Sequence, residues 1–549
     1  MRLYDIEIEP LLQSQYTWPS LLLLVVLGFS ILHQPKSANE NIDVPIVGSE
    51  QSWIARLRFF SDTRKVLDKG YSKYKNGVFK LSGHDMVILP TKFVDELRNV
   101  PEDELSSIKA NTDVSRFDFS LQAPLLTENI TQNFQGVYSA ISILTESNLH
   151  SRVLQTRLTP KLGPLIPIIR EELEYSMTQE LPEFHEEWES VEAFGLIIRL
   201  VSRVSSRLFV GDDLCRNMTW LNASRGYTEN AFKSIILLRV FPQWMKRYVA
   251  EFVPYVWMVR YHLYRAKTVL EPLIAKRRTE QAASTLVRDE KFDNLLQLMD
   301  DAATGIDARP DKLAARTLVL TLASLHTTSM AACQALFQMC EHPEYIPELR
   351  EEVQVVEEDH GWRKTTLTKL RKLDSFVKES QRVRPPSLLG FKRAFLKQRT
   401  LSDGTCIPKG AHTLMAIQPH QHEDPSIPDP EVFDGLRYYR MRQQEGHANR
   451  HQFATTDPYT LHFGHGKYAC PGRFLASNVI KLTLGRLLLD FASAFLLAKV
   501  ARKTFGRMNT SFPIRLVKWS LGCERVRDFE MTFSKIDSVA HYLKRIYIH

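Results

Sequence analysis

Hydrophobic and polar positions along the chain fall into a few distinct rhythms. Two short runs, Val78-Phe79-Lys80-Leu81 and Met86-Val87-Ile88-Leu89 ending at Pro90, predict strands. From Asn133 to Phe292 apolar residues recur at helical spacing, in long segments separated by Pro and Gly. Asp311 to Cys340 is mostly apolar without Gly or Pro and predicts one long helix that stops near Pro343. A second helix is predicted from about Leu367 to Val383. Pro385-Pro386 ends it, because the residue before a proline is driven out of helical geometry. Leu401 to Met415 holds a turn at Asp403-Gly404, a short apolar strand and a second turn at Pro408-Lys409-Gly410. A further helix follows Gly472 to about Leu489. The pattern predicts a mainly α fold with small β-sheets, in one large domain.

Composition narrows the class. The 549 residues are 44% hydrophobic and 24% charged, as in a globular protein. The net charge of +8 is spread along the chain, so no nucleic-acid footprint is expected. Six cysteines without a CxxC pair or a zinc-type cluster fit a reducing compartment.

The N-terminus carries an apolar run from about Tyr16 to Leu32, short against the ~20 residues that span a bilayer. Asp5, Glu7 and Glu9 precede it, and His33 and Lys36 follow, so the main body is expected to face the cytoplasm. The reading adopted is a membrane-anchor helix within residues 1–36. A cleaved signal and a buried or interfacial helix are the alternatives. Pro35, Pro45 and Gly48 make 37–50 a stiff linker into the body. Sequons at Asn129, Asn217, Asn222 and Asn509 would go unused in a cytoplasmic body.

The candidate chemistry lies in Phe463-Gly464-His465-Gly466-Lys467-Tyr468-Ala469-Cys470-Pro471-Gly472-Arg473. One cysteine sits in a glycine-flanked loop directly before a helix. A helix N-terminus offers unpaired N–H groups and partial positive charge, which favour thiolate. Gly464 and Gly466 permit a tight turn, Gly472 lets the backbone approach the sulfur, and Phe463 can shield it. A buried inert cysteine after a Gly-rich turn is the plain alternative. The loop resembles the haem-binding loop of the cytochrome P-450 monooxygenases. That resemblance makes Cys470 the axial ligand of a haem b iron, with Phe463, Gly464, Gly466 and Gly472 around the cofactor.

Other segments agree with the resemblance. Glu379 and Arg382 are three apart on the helix ending at Pro385 and can pair. Pro430-Glu431-Val432-Phe433-Asp434-Gly435-Leu436-Arg437 is similar to the family segment whose Arg completes a structural Glu–Arg–Arg network, so Arg437 is the expected third member. Ala323-Ser324-Leu325-His326-Thr327-Thr328 resembles the family's oxygen-activating groove, with Ser324 in place of Gly and His326 in place of the acid. Thr327 keeps the alcohol that guides proton delivery; His326 is either a relay or a structural residue. Leu322, Ala323, Leu388 and Leu389 are expected to line an apolar substrate pocket. Tyr468 stands where relatives often have His or Arg for a haem propionate, and His150, Arg152 and Arg157 are candidate replacements. The aromatic runs Phe241-Pro242-Gln243-Trp244 and Phe252-Val253-Pro254-Tyr255-Val256-Trp257 fit a substrate entrance touching the membrane, or core packing. Lys467 is either part of a basic face for an acidic electron donor or an ordinary solvated lysine.

Leu158-Thr159-Pro160, Val210-Gly211-Asp212-Asp213, His326-Thr327-Thr328 and the Cys470 loop look most like the fungal terpenoid-oxidising branch related to ent-kaurene oxidase. The resemblance implies an NADPH- and O2-dependent monooxygenase, residues 51–491, oxidising a terpenoid or indole-diterpenoid. It implies electrons from NADPH–cytochrome P-450 reductase, with cytochrome b5 as a second donor, and anchorage in the endoplasmic reticulum membrane. Rival readings are a haem-thiolate isomerase or dehydratase that needs no reductase, and an inactive haem-free protein. Residues 492–549 are atypical: Lys518-Trp519 and Cys523 match no family pattern. Either this end is divergent or the gene has been read through an intron or a shifted frame.

Overall fold

The computed structural model describes residues 39, 42–48, 64–81, 87–112, 143–181, 189–239, 249–283, 294–495 and 513–518. The expected anchor helix, Phe241 to Trp244, Asn129, Asn509 and Cys523 lie outside these residues. The main helices are α1 (Val94–Leu97), α2 (Leu162–Glu180), α3 (Ala193–Val210), α4 (Met218–Arg239), α5 (Pro254–Ala283), α6 (Pro310–Glu341), α7 (Ile346–His360), α8 (Arg371–Val383), α9 (Arg437–Arg442) and α10 (Arg473–Asp490). α6 is the predicted long helix and packs against α3, α5, α8 and α10. Its apolar residues, Leu318, Val319, Leu322 and Leu325 among them, enter one large core shared by these helices. The helix predicted from Leu367 is broken at Leu370 (ψ 66°), so α8 begins one residue later.

The strands are β1 (Ile46–Val47), β2 (Phe79–Leu81), β3 (Val87–Ile88), β4 (Leu105–Ser106), β5 (Glu189–Glu192), β6 (Leu389–Phe395), β7 (Arg399–Thr400), β8 (Cys406–Ile407), β9 (His412–Ala416), β10 (Phe491–Phe495) and β11 (Pro513–Lys518). Six form one sheet in the order β1-β2-β3-β9-β6-β4. Adjacent residues face opposite sides of a strand, and the two apolar clusters follow this: Val87 and Met415 join Phe93, Leu97 and Leu105, whereas Ile88 and Leu414 join Val47, Phe79 and Leu389. β6 departs from the rule. Its register against β9 shifts between Gly390 and Arg393, and Phe391 sits at φ +49°. The bulge turns Phe391 to the face opposite Leu389, although the two are only two apart, and carries Arg393 with it.

Two segments near the limits of the described residues are held in sheets. Within 37–50, Ile46 and Val47 pair in parallel with Lys80 and Leu81, and the Asn39 side chain brackets the backbone N–H and carbonyl of His412. Ile42 and Val47 are buried apolar side chains, which gives the docking its driving force. From Phe491 onward, β10 and β11 pair antiparallel, Phe491 opposite Lys518, and β11 pairs with β5. The segment from Phe491 therefore supplies two strands of a three-stranded sheet.

Candidate haem-thiolate site

Cys470 lies between the short turn Gly466–Tyr468 and the first turn of α10. Its N–H donates to the Phe463 carbonyl (2.8 Å), and Gly464 N–H donates to Leu461 O (2.8 Å), closing the loop on itself. Gly464 (φ +66°) and Gly466 (φ +76°) occupy the left-handed region that glycine alone enters without strain. Arg473 donates to the Cys470 carbonyl from its N–H (3.4 Å) and from Nη1 (3.0 Å), and the Gly472 and Arg473 backbone and the Arg473 guanidinium act to lower the thiol pKa. Burial outweighs all three and pushes the thiol pKa up. The helix terminus thus does not ionise Cys470 by itself, contrary to a simple reading of the motif; a metal ion at the sulfur would, because coordination deprotonates a thiol outright. A Cβ at Gly472 would meet no described protein atom within 4 Å, so this glycine is required by no protein contact here. Phe463 packs its ring on Phe453 (5.1 Å between centroids) and His462 (4.7 Å).

Beside the loop stands a cation that the sequence motifs do not mark. Arg393 is buried, with its guanidinium 3.9 Å from the Phe391 ring centroid and 5.1 Å from that of Tyr468. Nη1 donates to Lys392 O (2.9 Å) and Ser107 Oγ (3.4 Å), but Nε and Nη2 are buried without an acceptor among the described residues. Burial lowers its pKa to about 10, which still leaves it charged at neutrality. An uncompensated guanidinium is costly to bury. A carboxylate-bearing ligand beside Tyr468 would satisfy it, and haem carries two carboxylates. The earlier candidates have other placements. His150 Nδ1 faces Arg316 Nη1 at 3.0 Å, Arg152 reaches the Ala302 carbonyl, and Arg157 is exposed. Tyr468 donates to Val100 O (2.8 Å) and offers Arg393 its ring.

Behind the loop, α8 gathers two buried charged networks. Glu379 accepts from Arg382 Nε and Nη2 (2.8 Å each), Arg437 Nε (3.3 Å) and the Asp434 N–H (3.0 Å). The two guanidiniums donate onward to the carbonyls of Pro428, Pro430 and Val432. One turn earlier, Asp374 accepts from Lys481 of α10 (3.0 Å) and from the Phe453 N–H (2.9 Å), with Arg442 at 3.6 Å. This second network joins α8 to the helix that begins beside Cys470, and no motif announces it.

On α6, Thr327 Oγ1 donates to Ala323 O (2.8 Å), and Ser324 Oγ donates to Thr321 O (3.4 Å). His326 points to α3 and α4: its ring is stacked with Phe194 (6.1 Å) and edge-on to Phe232 (4.5 Å). Burial among these groups lowers its pKa to about 4, against a small opposing effect of Glu229. Of the four pocket candidates, Ala323 and Leu388 are partly exposed, whereas Leu322 is enclosed in the helical core and Leu389 in the sheet core. Phe252, just before α5, and Trp257 in its first turn are exposed, while Val253 and Val256 between them are buried. Lys467 is exposed. Among the described residues no helix is long and apolar enough to cross a membrane.

The chain matches the family model Cytochrome P450 over residues 122–514. It is 44% identical over 477 residues to a cytochrome P450 monooxygenase of Emericella nidulans, covering 85% of this chain and 86% of the relative. It is 37% identical to an ent-kaurene oxidase of Gibberella intermedia, covering 83% of each. Its fold is similar to that of the retinoic-acid-bound cyanobacterial CYP120A1 (TM-score 0.60, 18% identity, 88% of this chain and 100% of that one). On the sequence, the fold and the cysteine loop together, the chain belongs to the cytochrome P450 family, as a monooxygenase of the fungal branch that includes ent-kaurene oxidases.

Proposed function

We propose that Cys470 Sγ would hold the iron of haem b and that the enzyme oxidises a terpenoid or indole-diterpenoid. The observation that carries this reading is the Cys470 loop, closed by the Cys470 N–H on the Phe463 carbonyl at the start of α10, with the acceptor-poor Arg393 beside it. Bound haem would supply dioxygen activation, which a thiolate ligand favours. Arg393 would neutralise a haem carboxylate. Thr327 would hold its hydroxyl at the groove of α6 and pass a proton on. His326, with a pKa near 4, remains uncharged at neutrality and holds α6 to Phe194 and Phe232. Ala323 and Leu388 would face a neutral, apolar substrate.

Two electrons per turnover would come from NADPH through a cytochrome P450 reductase, with cytochrome b5 as a second donor. The apolar run before Leu32 and the exposed Phe252 and Trp257 support attachment to the endoplasmic reticulum membrane, body toward the cytoplasm. The terpenoid assignment rests on the likeness to ent-kaurene oxidase. The test uses membranes containing the full chain and a reductase. A diterpenoid or indole-diterpenoid should shift the ferric Soret band and be oxidised only when NADPH is present. Shifts with fatty acids or polyketides alone would overturn the substrate class, and turnover without NADPH would favour an isomerase or dehydratase.

A further inference from the structure

His465 sits inside the cysteine loop, five residues before Cys470, and reaches out of it on both sides. Its Nε2 lies 3.0 Å from Arg98 Nη1, at the end of α1, and its Nδ1 lies 3.1 Å from Thr456 Oγ1. A guanidinium only donates, so Nε2 must be the bare acceptor nitrogen. Nδ1 then carries the proton and donates to Thr456. The two contacts fix one neutral tautomer. The loop follows Arg98 closely: Lys467 N–H donates to Arg98 O (3.2 Å), and a Cβ on Gly466 would lie 2.6 Å from Arg98 Cβ and 2.7 Å from its carbonyl oxygen. His465 is therefore a side-chain bridge laid over a backbone seam.

We propose that His465 is a positioning residue for the thiolate ligand: as a neutral imidazole it clamps the cysteine loop between Arg98 and Thr456, and protonation releases the clamp. The proposal rests on the haem-thiolate reading given above. Protonation would place an Nε2–H against an Arg98 N–H, two donors and two cations face to face. The charged groups facing the ring are Arg98, which opposes protonation, and Asp457 and Asp95, which favour it; Asp95 is itself 3.2 Å from Arg98 Nε. Burial and Arg98 dominate and hold the pKa below the ordinary 6.5. A depressed pKa means that the clamp is intact at neutrality and is lost as pH falls through that lowered value.

The experiment is an acid titration of the ferrous carbon monoxide spectrum of the full-length holoprotein, with haem release to a scavenging globin measured in parallel. His465→Gln keeps a neutral acceptor toward Arg98 and cannot titrate. It should retain the thiolate-type Soret band and remain thiolate-ligated at acidic pH where the wild type converts to the blue-shifted form. His465→Ala should show the blue-shifted form already at neutrality and lose haem about tenfold faster, in the range of second-shell losses. Thr456→Val removes one end of the bridge and should fall between. If His465→Ala binds haem but titrates and releases it like the wild type, or if His465→Gln converts at the wild-type pH, the proposal is wrong. Loss of the haem-thiolate reading itself looks different: the wild type would then show no thiolate-type band at any pH.

Discussion

The guanidinium of Arg393 lies over the ring of Tyr468, 5.1 Å from its centroid, two residues before the candidate ligand Cys470. This contact ties the bulged strand β6 to the cysteine loop and leaves Nε and Nη2 turned to a place where no described residue accepts from them. Arg393→Met removes the charge and keeps a stem of similar reach. It should weaken haem retention about tenfold while leaving the helical fold intact. Haem transfer to a globin, followed optically beside far-ultraviolet circular dichroism, checks both halves. Wild-type retention in Arg393→Met would remove the cation from the haem site.

Glu379 is fully buried and serves two arginines and one backbone N–H. Breaking such a pair from one side leaves charge without compensation and costs about 3–5 kcal/mol. Glu379→Gln should therefore lower the denaturant midpoint strongly and reduce the yield of holoprotein. Arg382→Lys should fare little better, because a lysine cannot reproduce the two-pronged contact. Equilibrium denaturation of each variant provides the comparison.

Thr327 keeps its hydroxyl on the helix groove beside Ala323 and Ser324. If it hands on protons, Thr327→Ala should consume NADPH at near the normal rate but form product at a yield lower by about tenfold or more. Thr327→Ser should recover most of the yield. Product and NADPH measured in the same reaction give the ratio directly.

His326 adds a pH signature of its own. Its folded pKa of about 4 lies below the ordinary 6.5, so the unfolded chain binds more protons between these values. Its contribution to stability is complete above pH 6.5 and fades as pH falls toward 4. His326→Phe should flatten part of the rise of stability with pH across this window. Denaturant midpoints at several pH values measure the slopes, and equal slopes would contradict the assignment.

The parts of the site that read directly from sequence are those in which chemistry and spacing coincide. Cys470 stands between glycines at a helix start, and Glu379 with Arg382 is a local pair on one helix face. The long α6 was equally legible, because an apolar run without Gly or Pro has few other outcomes. Arg393 was not legible, since its burial depends on a bulge that changes which face of β6 it occupies. Asp374 and Lys481 are 107 residues apart and meet only when α8 packs on α10. The pairing of β10 with β11 and β5 is likewise a long-range event that no local pattern near Phe491 foretells. Leu389, expected at the pocket, is packed in the sheet core with Leu414 and Val47, a placement set by the pairing of β6 with β9 and not by the local apolar run after α8.

The most direct test is the carbon monoxide difference spectrum of the dithionite-reduced protein in microsomes. Ligation by Cys470 predicts the red-shifted Soret maximum diagnostic of a thiolate, and its loss in Cys470→Ser. A blue-shifted band alone in the wild type, no band from folded protein, or an unchanged red-shifted band in Cys470→Ser would contradict it.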